Sequence, residues 1–331
     1  MKTGDSDIAE FLEQRLGTLA FSAAALRSGT LLGRWHAASE PLLPIYSLTK
    51  TYVATLVLLA VRAGRVDLEA DVSGFCPDVP NAARITLRQL LNHTAGLPDY
   101  GALAEYQRAI ASGAPVWSFD EFADQTYRRG SLFAPGTGWS YSNPGYALLV
   151  RILERTWQRG LDELLTDLIC RPLDLVHTRI ADTLDQAEIV PSTSRALSTD
   201  GTPRPMKTHY PVGWVWHRLI VSDAADSVRF LDRLLGDRWL GDRLTDAMLT
   251  LTPVGESHPP WTEPSYGLGL MGEPRGRRGA IYGHNGGGPG YSTSAFHMAA
   301  TSTSVAIIAP TEATDTVHSL TLELHDRLTA R

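Results

Sequence analysis

The chain has 331 residues, 43% of them hydrophobic and 20% charged, which suits a globular protein with one large domain or two lobes around a sizeable core. Its net charge is −6, and the one basic cluster is the short Arg275-Gly276-Arg277-Arg278 turn, so nucleic acid is excluded as an expected partner. Two cysteines, Cys76 and Cys170, make no disulfide framework. Neither has metal-ligand spacing and no HExxH pattern occurs, so no metal and no cofactor is expected.

In chain order, Met1 to Leu16 reads as an amphipathic helix with Ile8, Phe11, Leu12 and Leu16 on one face. It has no apolar core of the kind a signal peptide needs. The longest apolar run, Val53 to Val61, is too short to span a bilayer. The expectation is a cytoplasmic protein with no membrane partner. Leu19 to Ala25 and Thr30 to His36 flank Ser28-Gly29, a hairpin signal. Pro41 and Pro44 break the chain, and a helix from Leu48 to Ala63 stops at Gly64.

Residues 67–252 read as helices joined by Gly/Pro turns, among them Leu87 to Asn92, Phe119 to Arg129, Tyr146 to Arg159, Leu161 to Ile169 and Ala224 to Leu235. Ser192 to Pro211, rich in Ser, Thr and Pro, reads as a long loop of functional or merely superficial character. The last third changes period. Tyr266 to Leu270, Ala280 to Tyr282, Tyr291 to Met298 and Ser304 to Ala309 read as strands, and His318 to Leu328 as helix. Strands at both ends with helices between imply a sheet assembled from the two termini, residues 1–66 plus 253–331, with a mostly helical lobe, residues 67–252, inserted in it. All of it is read as one catalytic domain.

Three lysines, Lys2, Lys50 and Lys207, stand against an otherwise arginine-borne positive charge. Lys50 opens the apolar helix, where its charge would be desolvated. Lysine, unlike arginine, can then give up its proton. Positions three apart share a helix face, which puts Lys50 one turn from the Ser47 hydroxyl: a serine nucleophile beside a tunable base. Tyr141-Ser142-Asn143 lies in a Gly/Pro-rich loop before a helix. His284-Asn285-Gly286-Gly287 stands at a strand end ahead of Gly288-Pro289-Gly290. Gly267 to Gly272 spells GxGxxG, but Glu273-Pro274 follows where a helix should begin, so it reads as a strand of small residues. No GxSxG elbow occurs.

With S-x-x-K at Ser47–Lys50, Y-x-N at Tyr141–Asn143 and an H-x-G triplet at His284–Gly286, in that order, the chain resembles the serine β-lactamase and penicillin-binding-protein superfamily. More narrowly, it resembles the branch of class C β-lactamases, D-alanyl-D-alanine carboxypeptidases and esterases. The stretches Leu90 to Pro98, Arg171 to Leu175 and Ser222 to Asp226 resemble further landmarks of that branch. The resemblance implies an α+β sandwich, an antiparallel sheet flanked by helices with an inserted helical lobe, and a Ser47 acyl-enzyme.

It further implies roles for single residues. Lys50 and Tyr141 would share the proton relay; a nearby ammonium would favour the Tyr141 phenolate, so the base stays open between the two. Asn143 would bind substrate or the nucleophile's neighbours. The N–H groups of Ser47 and Gly287 would form the oxyanion hole. His284, Asn285 and Gly286 would meet the substrate's far end, and Tyr100 and Trp214 are weighed as cleft lining.

A histidine in the third triplet, and Ile307-Ile308-Ala309-Pro310-Thr311 without the asparagine of many relatives, weaken carboxylate recognition. The expected activity is therefore hydrolysis or acyl transfer on a small ester, amide or peptide. The rivals are a carboxypeptidase or β-lactamase, disfavoured by the lack of an export signal, and a catalytically silent module of the same fold.

Overall fold

A computed structural model describes residues 3–36, 41–184 and 189–330; Lys2 lies outside them. Helix α1 (Thr3–Leu16) leads into strands β1 (Ser22–Arg27) and β2 (Thr30–His36). Their turn is Ser28 and Gly29, both at positive φ, 46° and 77°. The pair belongs to an eight-stranded sheet whose other strands come from the end of the chain. From β2 the order runs through β1 to Thr303–Ala309, Tyr291–Met298, Gly279–Gly288, Met271–Gly276, Ser265–Tyr266 and Thr252–Pro253. Every pairing is antiparallel, and Ala23 faces Ile307 where the N-terminal hairpin joins the C-terminal strands.

Strand alternation divides the core in two. Ala23, Ala25, Val305 and Ile307 face α1 and the C-terminal helix (Thr314–Thr329), where Ile8, Phe11, Leu12, Val317 and Leu320 are buried. Ala24, Leu26, Ala306 and Ile308 face the opposite way, onto the large cluster that holds helix α2 (Thr49–Arg62) and the helix Ala224–Leu231. Helix α2 is buried along nearly its whole length, apolar from Tyr52 to Val61 except for Thr55, with Lys50 in its first turn. Gly64, at φ 67°, ends its chain direction.

Several expected elements shift. The helix at Ala224 loosens into a π turn at Asp232–Gly236, and that at Leu161 into one at Thr166–Cys170. Ser192 to Pro211 is not plain loop: Thr193–Ser194 pairs with Arg204–Pro205 and a short helix follows at Met206–His209. The expected strand Tyr266 to Leu270 is only Ser265–Tyr266. Gly267 to Leu270 is a turn, with Gly269 at φ 73°, and a new strand runs over Met271–Gly276. Positive φ at Gly269 cannot continue a strand, which corrects the reading of Gly267 to Gly272 as one. Among the described residues, no helix is long and apolar enough to cross a membrane.

Candidate active site

Ser47 sits in a tight 3-10 turn, Tyr46–Leu48, that feeds directly into α2. The turn is held from both sides. Ile45 N–H donates to the Ile220 carbonyl at 2.9 Å, and the Tyr46 hydroxyl donates to the Pro289 carbonyl at 2.6 Å. Tyr46 adopts φ 42°, a left-handed conformation uncommon for an aromatic residue, immediately before the proposed nucleophile.

Lys50 is fully buried, and its Nζ lies 3.2 Å from Ser47 Oγ, 2.7 Å from Asn143 Oδ1 and 3.2 Å from His217 Nε2. Burial pushes its pKa down to about 7, against a smaller opposing pull from the Asp99 carboxylate. Near neutrality the group is therefore divided between ammonium and amine. As an amine it has two N–H donors and one lone pair for three neighbours. The Ser47 hydroxyl can then donate to nitrogen while Asn143 and His217 accept.

Tyr141 lies beside this cluster. Lys50 Nζ is 4.8 Å from its ring centroid, and a hydrogen bond with Ser47 lowers its pKa. Burial outweighs that effect and pushes the phenol well above its ordinary range. Against the expectation of an easily formed phenolate, desolvation by burial raises the phenol's pKa more than its hydrogen bond with Ser47 lowers it.

Asn143 begins the helix Asn143–Trp157. Ser142 Oγ caps that helix by accepting from Gly145 N–H at 3.1 Å, and Pro144 occupies its first turn. Asp99 fixes Asn143, accepting from its backbone N–H at 2.8 Å and its Nδ2 at 3.3 Å. That orients Oδ1 toward Lys50.

The third motif is placed differently from the expectation. His284 is not at a strand end but inside the ten-residue strand Gly279–Gly288, and it is buried. Its Nδ1–H donates to the Asn285 carbonyl at 2.5 Å, and its Nε2 accepts from the Tyr266 hydroxyl at 2.8 Å. Both ring nitrogens are thus engaged within the protein. Burial, with the charge of Lys50 second, lowers the pKa of His284 to about 3, so it is neutral. Asn285 is half-buried and its N–H points at Met271 Sδ, 3.5 Å away.

Gly286 packs on the nucleophile's turn. A Cβ there would lie 2.3 Å from the Ile45 carbonyl oxygen and 3.1 Å from Ser47 N. Gly286→Ala is accordingly expected to cost about 1–3 kcal/mol of stability and to slow acylation of Ser47 together with it, because backbone must move on one side or the other. Thermal unfolding and the rate of labelling by a serine-directed fluorophosphonate measure this. Wild-type values in both would show that strand and turn are not in contact.

A cleft of about 400 Å³ opens at Ser47, with Asn143, Gly287 and Tyr100 among its lining residues. Tyr46, Tyr106, Tyr210, His217 and Glu312 line it too. Trp214 does not: it is buried, and its carbonyl accepts from the Tyr100 hydroxyl at 2.7 Å. Lys50, Tyr141, His284, Asn285 and Gly286 lie behind or beside the cleft and do not line it. His217, Asp99 and Glu312 had no signal in the sequence.

One group among the described residues could hold a metal ion: His177, Asp223 and Asp226, with ligand atoms within 4.8 Å of one another. Its carboxylates already accept from His177 N–H at 2.7 Å, Thr178 Oγ1 at 3.0 Å, Arg229 at 3.2 Å and the Asp226 N–H at 2.7 Å, so the group is saturated by its own fold.

Residues 8–326 match the family Beta-lactamase. Among curated relatives, the chain is 26% identical over 282 residues to Penicillin-binding protein 4* of Bacillus subtilis, covering 77% of this chain and 57% of that protein. It is 28% identical over 286 residues to a D-aminopeptidase of Cereibacter sphaeroides, covering 82% and 50%. The chain thus spans about half the length of the curated relatives it matches. Among solved structures, a D-stereospecific amidohydrolase from Streptomyces superposes with TM-score 0.81 and 25% identity over 93% of this chain and 94% of that one.

Proposed function

The chain belongs to the beta-lactamase family, and on that premise we propose that it is a serine hydrolase or acyltransferase acting through a Ser47 acyl-enzyme on a small amide, ester or peptide. The observation that carries the reading is the placement of Ser47 Oγ, open to the cleft and 3.2 Å from a lysine whose pKa is about 7.

In this reading the Ser47 oxygen forms a bond to the acyl carbon while its proton passes to Lys50 Nζ. The backbone N–H groups of Ser47 and Gly287 face the developing oxyanion. Collapse of the tetrahedral adduct breaks the bond to the leaving amine or alcohol, which takes a proton back through the same relay. Water, or another amine or alcohol, then removes the acyl group by the reverse sequence. Tyr141, held protonated by burial, acts as a hydrogen-bond donor within the relay rather than as its base. Asn143, fixed by Asp99, keeps Lys50 in line with Ser47.

Intact mass after incubation with a panel of short-chain aryl esters, amino-acid amides and β-lactams tests the reading. An acyl increment on Ser47 from esters or amides, with slow or absent cephalosporin hydrolysis, is the expected result. Adducts from β-lactams alone would replace this reading with that of a β-lactamase or penicillin-binding protein. No adduct from any of them, in a protein that is folded, would mark a silent module.

A further inference from the structure

The Ser47 cleft has a sign. Of the described residues that line it, Glu312 is the one with a formal charge: no described lysine or arginine lines it, and burial holds His217 neutral. Glu312 stands just beyond the strand Thr303–Ala309 and is exposed. Its Oε1 accepts from the Gly290 N–H at 2.9 Å, which ties the carboxylate to the Pro289-Gly290 turn. The Tyr46 hydroxyl donates to the Pro289 carbonyl of that turn, and Tyr46 immediately precedes Ser47. The carboxylate and the nucleophile therefore line one cleft and are linked through the Pro289-Gly290 turn and Tyr46.

Its aromatic and aliphatic walls include Tyr100, Tyr106, Tyr210, Ile110 and Val215, with Gln107 and Asn143 as polar lining. Rings of this kind pack against an apolar side chain, and their faces attract a cation. A negative carboxylate at the mouth repels an anionic ligand and pairs with an ammonium.

We propose that Glu312 receives an ammonium group of the substrate, so that the cleft selects amides or esters carrying a free amine beside a hydrophobic side chain and rejects those carrying a carboxylate. The inference rests on the reading of Ser47 as nucleophile for its catalytic half, and on the cleft alone for its binding half. Glu312 is a specificity residue here. Its second oxygen and its charge, not its hydrogen bond to Gly290, carry the selection.

The test compares phenylalanine p-nitroanilide, in each enantiomer, with 3-phenylpropanoyl p-nitroanilide, which lacks only the amine. The quantity read is the ratio of their kcat/KM values. Wild type is expected to prefer the amine for at least one enantiomer by about tenfold, and the preference should shrink as NaCl rises from about 0.05 to 0.5 M. Glu312→Gln keeps an oxygen for the Gly290 N–H but loses the charge, and is expected to reduce the ratio by about three- to tenfold. Glu312→Asp should retain part of it.

A parallel arm needs no turnover: calorimetric titration of Ser47→Ala with phenylalanine amide and with 3-phenylpropanamide, repeated in Ser47→Ala/Glu312→Gln. An amine preference that disappears in the double variant supports the inference. An unchanged ratio in Glu312→Gln, equal loss for both substrates, or tighter binding of the compound without the amine overturns it. If neither anilide is cleaved and Ser47 takes up no acyl group, the nucleophile assignment fails, while the titration still decides the ammonium site.

Discussion

Replacing Ser47 by alanine is expected to lower ester or amide turnover by about 10⁴-fold or more and to abolish labelling by a fluorophosphonate. The change removes one oxygen from a half-buried turn and leaves the surrounding bonds in place. Lys50 keeps Asn143 at 2.7 Å and His217 at 3.2 Å, and Tyr46 keeps its bond to Pro289. The loss would therefore be one of chemistry at an intact site, and thermal unfolding should move little. Peptide mapping of the labelled wild-type protein is expected to find the adduct on Ser47. Equal labelling of wild type and Ser47→Ala, or an active preparation that takes no label, would move the nucleophile elsewhere.

Lys50 carries the second large effect. Lys50→Met, which fills nearly the same buried volume, is expected to slow acylation by at least about 10². The pH dependence says more than the magnitude. A base must be deprotonated to accept the serine proton. With its pKa near 7, Lys50 is an ammonium below neutrality and an amine above it. The kcat/KM of wild type should therefore rise with pH through about 7 and level off above about 8. Tyr141→Phe should keep that inflection with a lower plateau, because burial holds the phenol protonated across the whole range. Lys50→Met should lose the inflection. A rate that climbed without levelling into the alkaline range would instead make the Tyr141 phenolate the base.

The parts of the site that were legible in the sequence are those whose geometry is local. A serine and a lysine three apart meet whenever the segment is helical. Tyr141 and Asn143 are presented by a cap and a proline that can be read from Ser142 and Pro144. A sheet drawn from both termini was legible because Tyr291–Met298 and Thr303–Ala309 break the helical period of the preceding segments, while its antiparallel order came from the family resemblance. The strand Met271–Gly276 was not, since Gly272, Pro274 and Gly276 carry no strand preference and are held there by the neighbouring strand.

His217, Asp99 and Glu312 were illegible for a different reason. His217 lies 167 positions from Lys50 and Asp99 lies 44 from Asn143. Only the assembled fold gives either a role. His284 shows the converse, because its motif was conspicuous while its two ring nitrogens are spent on Tyr266 and Asn285.

The seam between the N-terminal hairpin and the rest of the sheet joins Arg27 to Thr303, partners 276 positions apart. On a ribosome the hairpin at the front of the chain therefore emerges long before the strand that covers its inner edge. Until that strand arrives, β1 presents unpaired backbone groups to whatever it meets. Gly286, which packs against the Ser47 turn, comes almost as late. Ser47 and Lys50 thus emerge early, while Gly286 and Gly287, which meet the nucleophile's turn and the cleft, are made late. Long-range closure of this kind is slow and vulnerable to misassembly. On the proposed reading of Ser47, reactivity toward acyl donors would then await closure of the sheet.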